Sequence, residues 1–223
     1  MVYRNEWKHV ISYGDLLVLR QRLSAVMKID KHAINGKYRI CSLYFETPTD
    51  TALREKMDGV SRREKFRIRY YNQDTSVIYL EKKSKVAGFG NKQKAKLTEQ
   101  QVMQILEGDI HWMLLSEEPL IQELYCKMNT KRLYPKTVVE YTREPFVYAP
   151  GNVRVTLDYD IRTSLNCKEF LSKEAVKMPA GESPIILEVK WDAFLPDCIR
   201  SAVQLEGRRV TAFSKYAQCR IYG

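Results

Sequence analysis

Acidic residues are in short supply, with 27 Asp and Glu against 37 Lys and Arg, so the 223-residue chain carries a net charge of +10. That excess points to a polyanionic partner without separating nucleic acid, an anionic membrane and phosphorylated small molecules. The five cysteines, Cys41, Cys126, Cys167, Cys198 and Cys219, are odd in number and scattered, with no CxxC pair. Their pattern fits reduced, mostly buried thiols in a cytoplasmic protein better than a disulfide framework. His9, His32 and His111 form no HExxH spacing, so metal held by His or Cys is not expected. Nowhere are 18 consecutive residues apolar, and the opening MVYRNEWKH has no apolar signal core, so neither membrane spanning nor export is expected. A GxxxxGK[ST] phosphate loop is also lacking.

What is present suits one core: at 44% hydrophobic and 11% aromatic, residues 1–223 are expected to form a single domain. The most informative stretch is RREKFRIRYY, residues 62–71, followed by VIYLEKKSK. In a strand successive side chains point to opposite faces, which puts Arg63, Lys65, Arg67 and Arg69 on one side and Phe66, Ile68 and Tyr70 on the other. Four same-face cations repel one another unless solvent, acids or an anionic ligand compensates them.

Alternation predicts strands over residues 3–12, 37–47, 62–72, 76–85, 136–149, 152–164 and 184–192. Apolar spacing of 3.6 predicts helices near 14–27, 48–58, 98–107, 117–129, 195–204 and 211–221, the last including Phe213, Ser214 and Lys215. Residues 86–96, VAGFGNKQKAK, are expected to be a loop carrying Lys92, Lys94 and Lys96. It is open whether that loop is a basic lip to a cavity or plainly solvated.

At least five of these strands are charged on one side and β-branched or aromatic on the other. Glu6 and Lys8 share a face, as do Glu81, Lys83 and Lys85, then Arg154, Thr156, Asp158 and Asp160, and then Glu188 and Lys190. The charged sides could face bulk water, as in an ordinary sandwich or barrel. The helices between the strands favour a second arrangement, because their apolar stripes need a sheet face to cover. If they pack outside a curved sheet, the charges line an interior. Such a lining suits phosphoryl transfer, which needs positioning and charge neutralisation more than a protein nucleophile. Arg forks grip phosphate bidentately, and a few carboxylates can hold a divalent cation. Glu188 is the candidate metal ligand, with a structural ion pair to Lys190 or an Arg as the other reading.

Eight segments in order carry a resemblance: Glu6-Trp7-Lys8, SLYFET at 42–47, FRIRYY at 66–71, YLEKKSK at 79–85, EYTREPF at 140–146, VRVTLDYDI at 153–161, ILEVKW at 186–191 and FSKY at 213–216. The sequence resembles the VTC domain of polyphosphate polymerases, in the CYTH-like triphosphate tunnel family. The resemblance implies an α+β fold, an antiparallel eight-stranded β-barrel with helices packed on the outside, over the whole of 1–223. It implies synthesis of inorganic polyphosphate from ATP inside the tunnel with Mn2+ or Mg2+. The family's basic phosphate ligands fall on Lys8, Arg67, Arg69, Lys83, Arg143, Arg154, Lys190 and Lys215, with Ser214 beside the last. The metal-binding glutamate falls on Glu188, with Glu6 as a second. Lys92 and Lys94 join the substrate-binding set from the basic loop, while Arg63 and Lys65 fall toward the tunnel mouth. Choosing Lys83 over Lys82 follows face parity with Glu81. Arg143 shares a face with Val139, so a bulge is expected near that strand's end.

Triphosphatases of this fold carry ExExK on the first strand, whereas here Arg4 stands at the first position and only Glu6-x-Lys8 remains. The departure weakens the hydrolase reading. Two alternatives remain beside polymerase: a metal-dependent tripolyphosphatase or nucleoside triphosphatase, and a non-catalytic polyphosphate or inositol-phosphate binding module. Nucleic acid is not an expected partner, since no reading helix or aromatic platform is recognisable. Any coupling of a cytoplasmic polymerase to the inner face of a membrane would need a separate membrane protein.

Overall fold

In the computed structural model, which describes residues 4–87 and 89–222, short strands and helices alternate along the chain. Strand β1 (Asn5–Ile11) leads into helix α1 (Tyr13–Val26), then β2 (Lys28–Ile29), β3 (Tyr38–Glu46) and α2 (Thr51–Met57). Strands β4 (Arg63–Tyr71), β5 (Asp74–Val86) and β6 (Phe89–Leu97) form a meander, followed by α3 (Glu99–Glu107) and α4 (Pro119–Thr130). The long β7 (Tyr134–Tyr148) and β8 (Val153–Ser164) follow, then β9 (Met178–Pro179), β10 (Ile185–Trp191), α5 (Asp197–Val203) and α6 (Lys215–Tyr222). Tyr3 and Gly88, which fell in the expected first strand and basic loop, lie outside the described residues.

Local chemistry explains several boundaries. Ser12 and Asp15 cap each other at the start of α1, with bonds of 3.1 and 2.9 Å, and Thr98 and Gln101 do the same for α3. The β4–β5 connection needs only Asn72 and Gln73, both left-handed with φ of 53° and 58°, as a two-residue hairpin turn requires. Phe213 and Ser214 precede α6 instead of lying within the helix expected there.

One expected element is of a different kind. Residues 89–96 of the expected loop are strand: β6 pairs antiparallel with β5 from Ile78↔Leu97 to Val86↔Phe89. Glycine and lysine have low β propensity, but Ala95 and Leu97 turn into the core, which fixes the register and sends Lys92, Lys94 and Lys96 to the opposite face.

The chain forms two compact units. The first comprises Met1–Arg39, Tyr141–Ile161 and Pro179–Lys215, and the second Ile40–Glu140, Arg162–Met178 and Tyr216–Gly223. In the first, β1, β10, β8 and the later part of β7 are neighbours in that order, and β2 adds to β7. In the second, the earlier part of β7, then β3, β4, β5 and β6 follow. The fold is thus α+β, with an antiparallel sheet whose main path has eight strands and six α-helices among the described residues. That path is open, since β1 and β6 are not paired with each other among the described residues.

Each unit is inverted in the expected way. In the second, Cys41, Leu43 and Phe45 of β3, Phe66, Ile68 and Tyr70 of β4, and Ile78 and Leu80 of β5 meet Val102 and Ile105 of α3 and Leu120, Ile121 and Leu124 of α4. In the first, Val155 and Leu157 of β8 and Leu187 and Val189 of β10 are covered by Leu16, Leu19 and Leu23 of α1 and Ile199 of α5. Helices α1, α3, α4 and α5 therefore take the apolar side of each sheet portion, while α6 reaches the charged side of the second unit, where Tyr216 stacks on Tyr44.

Glu46 ties the second unit's helices to its sheet. Fully buried, its carboxylate accepts from the amides of Thr47, Ala52 and Leu53 at 2.9–3.0 Å and from the Tyr216 hydroxyl at 2.7 Å. Glu46→Ala strands these donors, and urea unfolding is expected to show a loss of about 2 kcal/mol.

Candidate functional site

In the second unit, cross-strand register builds a grid on the face opposite the core. Arg63 stands opposite Lys85, and Lys65, Lys83 and Lys92 form the next row. Tyr44, Arg67, Glu81 and Lys94 form the third, and Ser42, Arg69, Tyr79 and Lys96 the fourth. Glu81 is the one carboxylate in these rows. Arg67 is 6% exposed and Arg69 5%, which is unusual for guanidinium groups.

Arg67 Nε and Nη2 donate to Glu81 Oε2 at 2.8 and 2.5 Å, and Nη1 donates to the Tyr44 hydroxyl at 2.9 Å. Lys92 bonds the other Glu81 oxygen. Burial would raise the Glu81 carboxyl, but the charges of Arg67 and Arg69 and the bond from Lys92 bring it down to about 2. Arg69 Nε donates to Ser42 Oγ at 2.8 Å, and Lys94 Nζ lies 4.9 Å from the Tyr79 ring centroid. Lys82 points the other way, bonded to Glu123 and 3.3 Å from Glu64 on the helix side. The parity that selects Lys83 for the cation face is therefore the parity of the strand.

In the first unit, Glu6, Lys190 and Arg154 form one row, and Lys8, Glu188 and Thr156 the next. Asp158, with no exposed surface, is the anchor: Arg143 grips it bidentately at 2.6 and 2.7 Å and Lys215 Nζ lies at 2.6 Å. Both cations also stand over the Tyr141 ring. Burial opposes ionisation of Asp158, and the charges of Arg143 and Lys215 overcome it, holding the carboxyl well below its usual range. Arg143 reaches Glu188 at 3.7 Å. Arg154 donates to the Tyr38 hydroxyl at 2.6 Å and pairs with Asp30 at 3.0 Å. Ser214 immediately precedes Lys215.

Arg143 lies on the cation face with Tyr141, and Val139 shares that parity, so the expected bulge is not needed to place it. The residue that suggests a bulge is Val139, an apolar side chain on the cation face; the acids of the other parity have their own partners, Glu140 in Lys177 at 2.8 Å and Glu144 in Arg20 and the Tyr159 hydroxyl. Glu144 shares its parity with Phe146, a member of the first unit's apolar core. Arg4 lies before β1, donating to the Asn152 carbonyl at 2.9 Å.

Glu6 and Glu188 meet on a single ammonium. Lys190 Nζ is 3.2 Å from Glu6 and in direct contact with Glu188, and Lys8 lies 3.4 Å from Glu6. Burial, aided by Arg143 and Lys8, lowers the Lys190 ammonium to about 8 against the opposing pull of Glu6. Among the described residues no three Asp, Glu, His or Cys side chains gather as a metal cage. Two carboxylates converging on one cation still suit Mg2+ or Mn2+, which complete their shells with water and phosphate oxygens.

A family model, the VTC domain, matches residues 3–222. The chain belongs to the VTC domain family. No curated protein matches it in sequence. Among solved structures, a Bacillus halodurans protein described as a putative adenylate cyclase is 14% identical with a TM-score of 0.53, over 88% of this chain and 83% of that one. The PH1012 protein from Pyrococcus horikoshii is 11% identical with a TM-score of 0.53, over 97% and 99%. Likeness at these identities is a likeness of fold. No helix among the described residues is long and apolar enough to cross a membrane.

In this VTC domain Asp158, Tyr44, Tyr38 and Asp30 hold the cations of the site, and strand alternation alone does not distinguish them from other polar strand residues. Asp158 carried a signal nonetheless, as an acid sharing a strand face with Arg154.

Proposed function

We propose that this VTC domain is a divalent-metal-dependent polyphosphate polymerase that passes the γ-phosphoryl group of ATP to the end of a polyphosphate chain within a basic tunnel. The observation that carries the reading is the four-row cation face with one carboxylate, in which Arg67 and Arg69 are buried. Arg67 is held by Glu81 and Tyr44 and Arg69 by Ser42, so both forks are fixed in place on a face whose gathered cations suit an anionic ligand. Family membership supports a triphosphate as that anion.

Phosphoryl transfer through a loose transition state asks for in-line placement and spread positive charge. Arg67, Arg69, Arg143 and Arg154 supply planar forks for successive phosphates, and Lys8, Lys83, Lys92, Lys94, Lys190 and Lys215 supply point charges. Ser214 adds a hydroxyl beside Lys215. Glu188 and Glu6 would hold the metal, which when bound neutralises charge on the triphosphate oxygens. The growing chain's terminal phosphate is already an anion, so its attack needs no protein base to remove a proton. Arg4 in place of the first glutamate of a hydrolytic strand favours this nucleophile over activated water. The product, made on the cytoplasmic side, would need a separate membrane protein to carry it across a bilayer.

The test is incubation of the purified protein with ATP and Mn2+, with and without a short polyphosphate primer. Long-chain polyphosphate resolved on a gel is the expected product. Orthophosphate without chain growth would transfer the assignment to a triphosphatase, and tight anion binding without turnover would make it a binding module.

A further inference from the structure

Tyr44 lies on the cation face of β3, opposite Arg67 in register and only 5% exposed. Its ring stacks on Tyr216 with centroids 4.8 Å apart, and Lys65 Nζ lies 5.5 Å from its centroid. Arg67 Nη1 donates to its oxygen at 2.9 Å. Tyr216 gives its own proton to Glu46, and the Arg67 guanidinium is a donor only, so neither neighbour takes the proton of Tyr44. The hydroxyl thus accepts one bond, and among the described residues no acceptor is recorded for its hydrogen. Buried hydroxyls normally satisfy both roles. One that holds its proton toward a field of cations is placed to donate to an anion.

We propose that Tyr44 donates a hydrogen bond to a phosphate oxygen held by Arg67 and Arg69. The inference rests on the phosphate-binding reading of the same face. It adds a ligand that the charge pattern does not reveal, and it makes affinity depend on the protonation of that ligand.

The electrostatics agree. Burial by itself would raise the Tyr44 hydroxyl, but the charges of Arg67, Lys65 and Arg69 outweigh burial and bring it down to about 7. The groups that face it are those three cations on β4, Ser42 and Glu46 on β3, Glu81 on β5 through Arg67, and Tyr216 on α6. Glu81, held at about 2, stays ionised through neutral pH. A tyrosinate formed in the unliganded protein repels phosphate and has no proton to give. A bound phosphate screens the cations that made Tyr44 acidic, so its hydroxyl regains a proton as the anion arrives. Affinity should then fall as pH rises through the unliganded value of Tyr44.

The experiment is calorimetric titration of metal-free tripolyphosphate into wild type, Tyr44→Phe and Arg69→Met at about pH 6 and about pH 8. Phe keeps the ring on Tyr216 and removes only the hydroxyl. At the lower pH, Tyr44→Phe is expected to bind about tenfold more weakly, the loss of one charge-assisted hydrogen bond. Between the two pH values wild type should lose about tenfold relative to Tyr44→Phe, the ligand's own titration being common to both proteins. Equal affinities at the lower pH, or a ratio that does not change with pH, would overturn the role of Tyr44; a merely structural tyrosine would lower the melting temperature without moving that ratio. Failure of wild type to bind tripolyphosphate, or undiminished binding by Arg69→Met, would instead overturn the phosphate reading of the face.

Discussion

Arg69→Met is expected to lower the rate of polyphosphate synthesis by about a thousandfold or more while leaving the protein folded. An arginine that stabilises charge on a transferring phosphoryl group is worth that much in other phosphotransferases. Arg69 is the better probe of the two buried arginines because of what each leaves behind. Glu81 keeps Arg67 and Lys92 when Arg69 is removed. Arg67→Met instead takes from Glu81 the guanidinium that contacts it twice, leaving a buried carboxylate with one amine, and should cost about 3 kcal/mol of stability. A rate lost from Arg67→Met would therefore confound chemistry with folding. For Arg69→Met, initial rates at saturating ATP and the melting temperature separate the two. Loss of rate with an unchanged melting temperature supports the phosphate role, and full activity would remove Arg69 from the site.

The same residues show why the inverted faces could be read from the sequence. Lys65, Arg67 and Arg69 alternate with Phe66, Ile68 and Tyr70 over a strand long enough for the period of two to be unambiguous, and the apolar partners set the face. The same logic holds for Arg154 against Val155, and for Glu188 against Leu187 and Val189. It fails where charge is used to assign a face. Glu140 and Glu144 are acids with partners on the helix side, so in β7 the apolar Phe146 is the reliable marker and the glutamates are not. It fails again at residues 89–96, where glycine and lysines of low intrinsic β propensity form a strand because β5 supplies a full ladder and Ala95 and Leu97 a buried anchor.

Pairing across distant segments is what alternation cannot supply. Arg143 meets Asp158 across the β7–β8 hairpin, but nothing local links Asp158 with Lys215, since β8 displays Asp158 as one acid among several and the contact depends on where the start of α6 falls. Tyr44 is hidden for a related reason. SLYFET reads as a β-prone aromatic run, and only the register with β4 places that phenol against Arg67. A tyrosine's usefulness to a phosphate site lies in its surroundings, which composition does not record.

Asp158→Asn is expected to be the most destabilising single change on the cation faces, costing about 3–5 kcal/mol and about 10 °C in melting temperature. The carboxylate is fully buried, and its removal leaves Arg143 and Lys215, themselves largely buried, without the charge that both contact. Asn preserves the shape and one acceptor oxygen, so the loss reports charge and not a cavity. The pH dependence follows in sign. The Asp158 carboxyl is lowered in the folded protein, so its contribution is complete above the unfolded value near 4 and is lost as pH falls toward the folded value. Glu81, lowered to about 2, contributes in the same direction in both proteins. Wild type should therefore lose stability more steeply than Asp158→Asn as pH drops from about 4 to about 2, measured by urea unfolding at each pH. Tripolyphosphate at neutral pH should recover more of the melting temperature in Asp158→Asn than in wild type, because the added anion can take the place of the missing carboxylate between the two cations. A variant within about 2 °C of wild type, equally responsive to the anion, would mean that Arg143 and Lys215 are not held by Asp158.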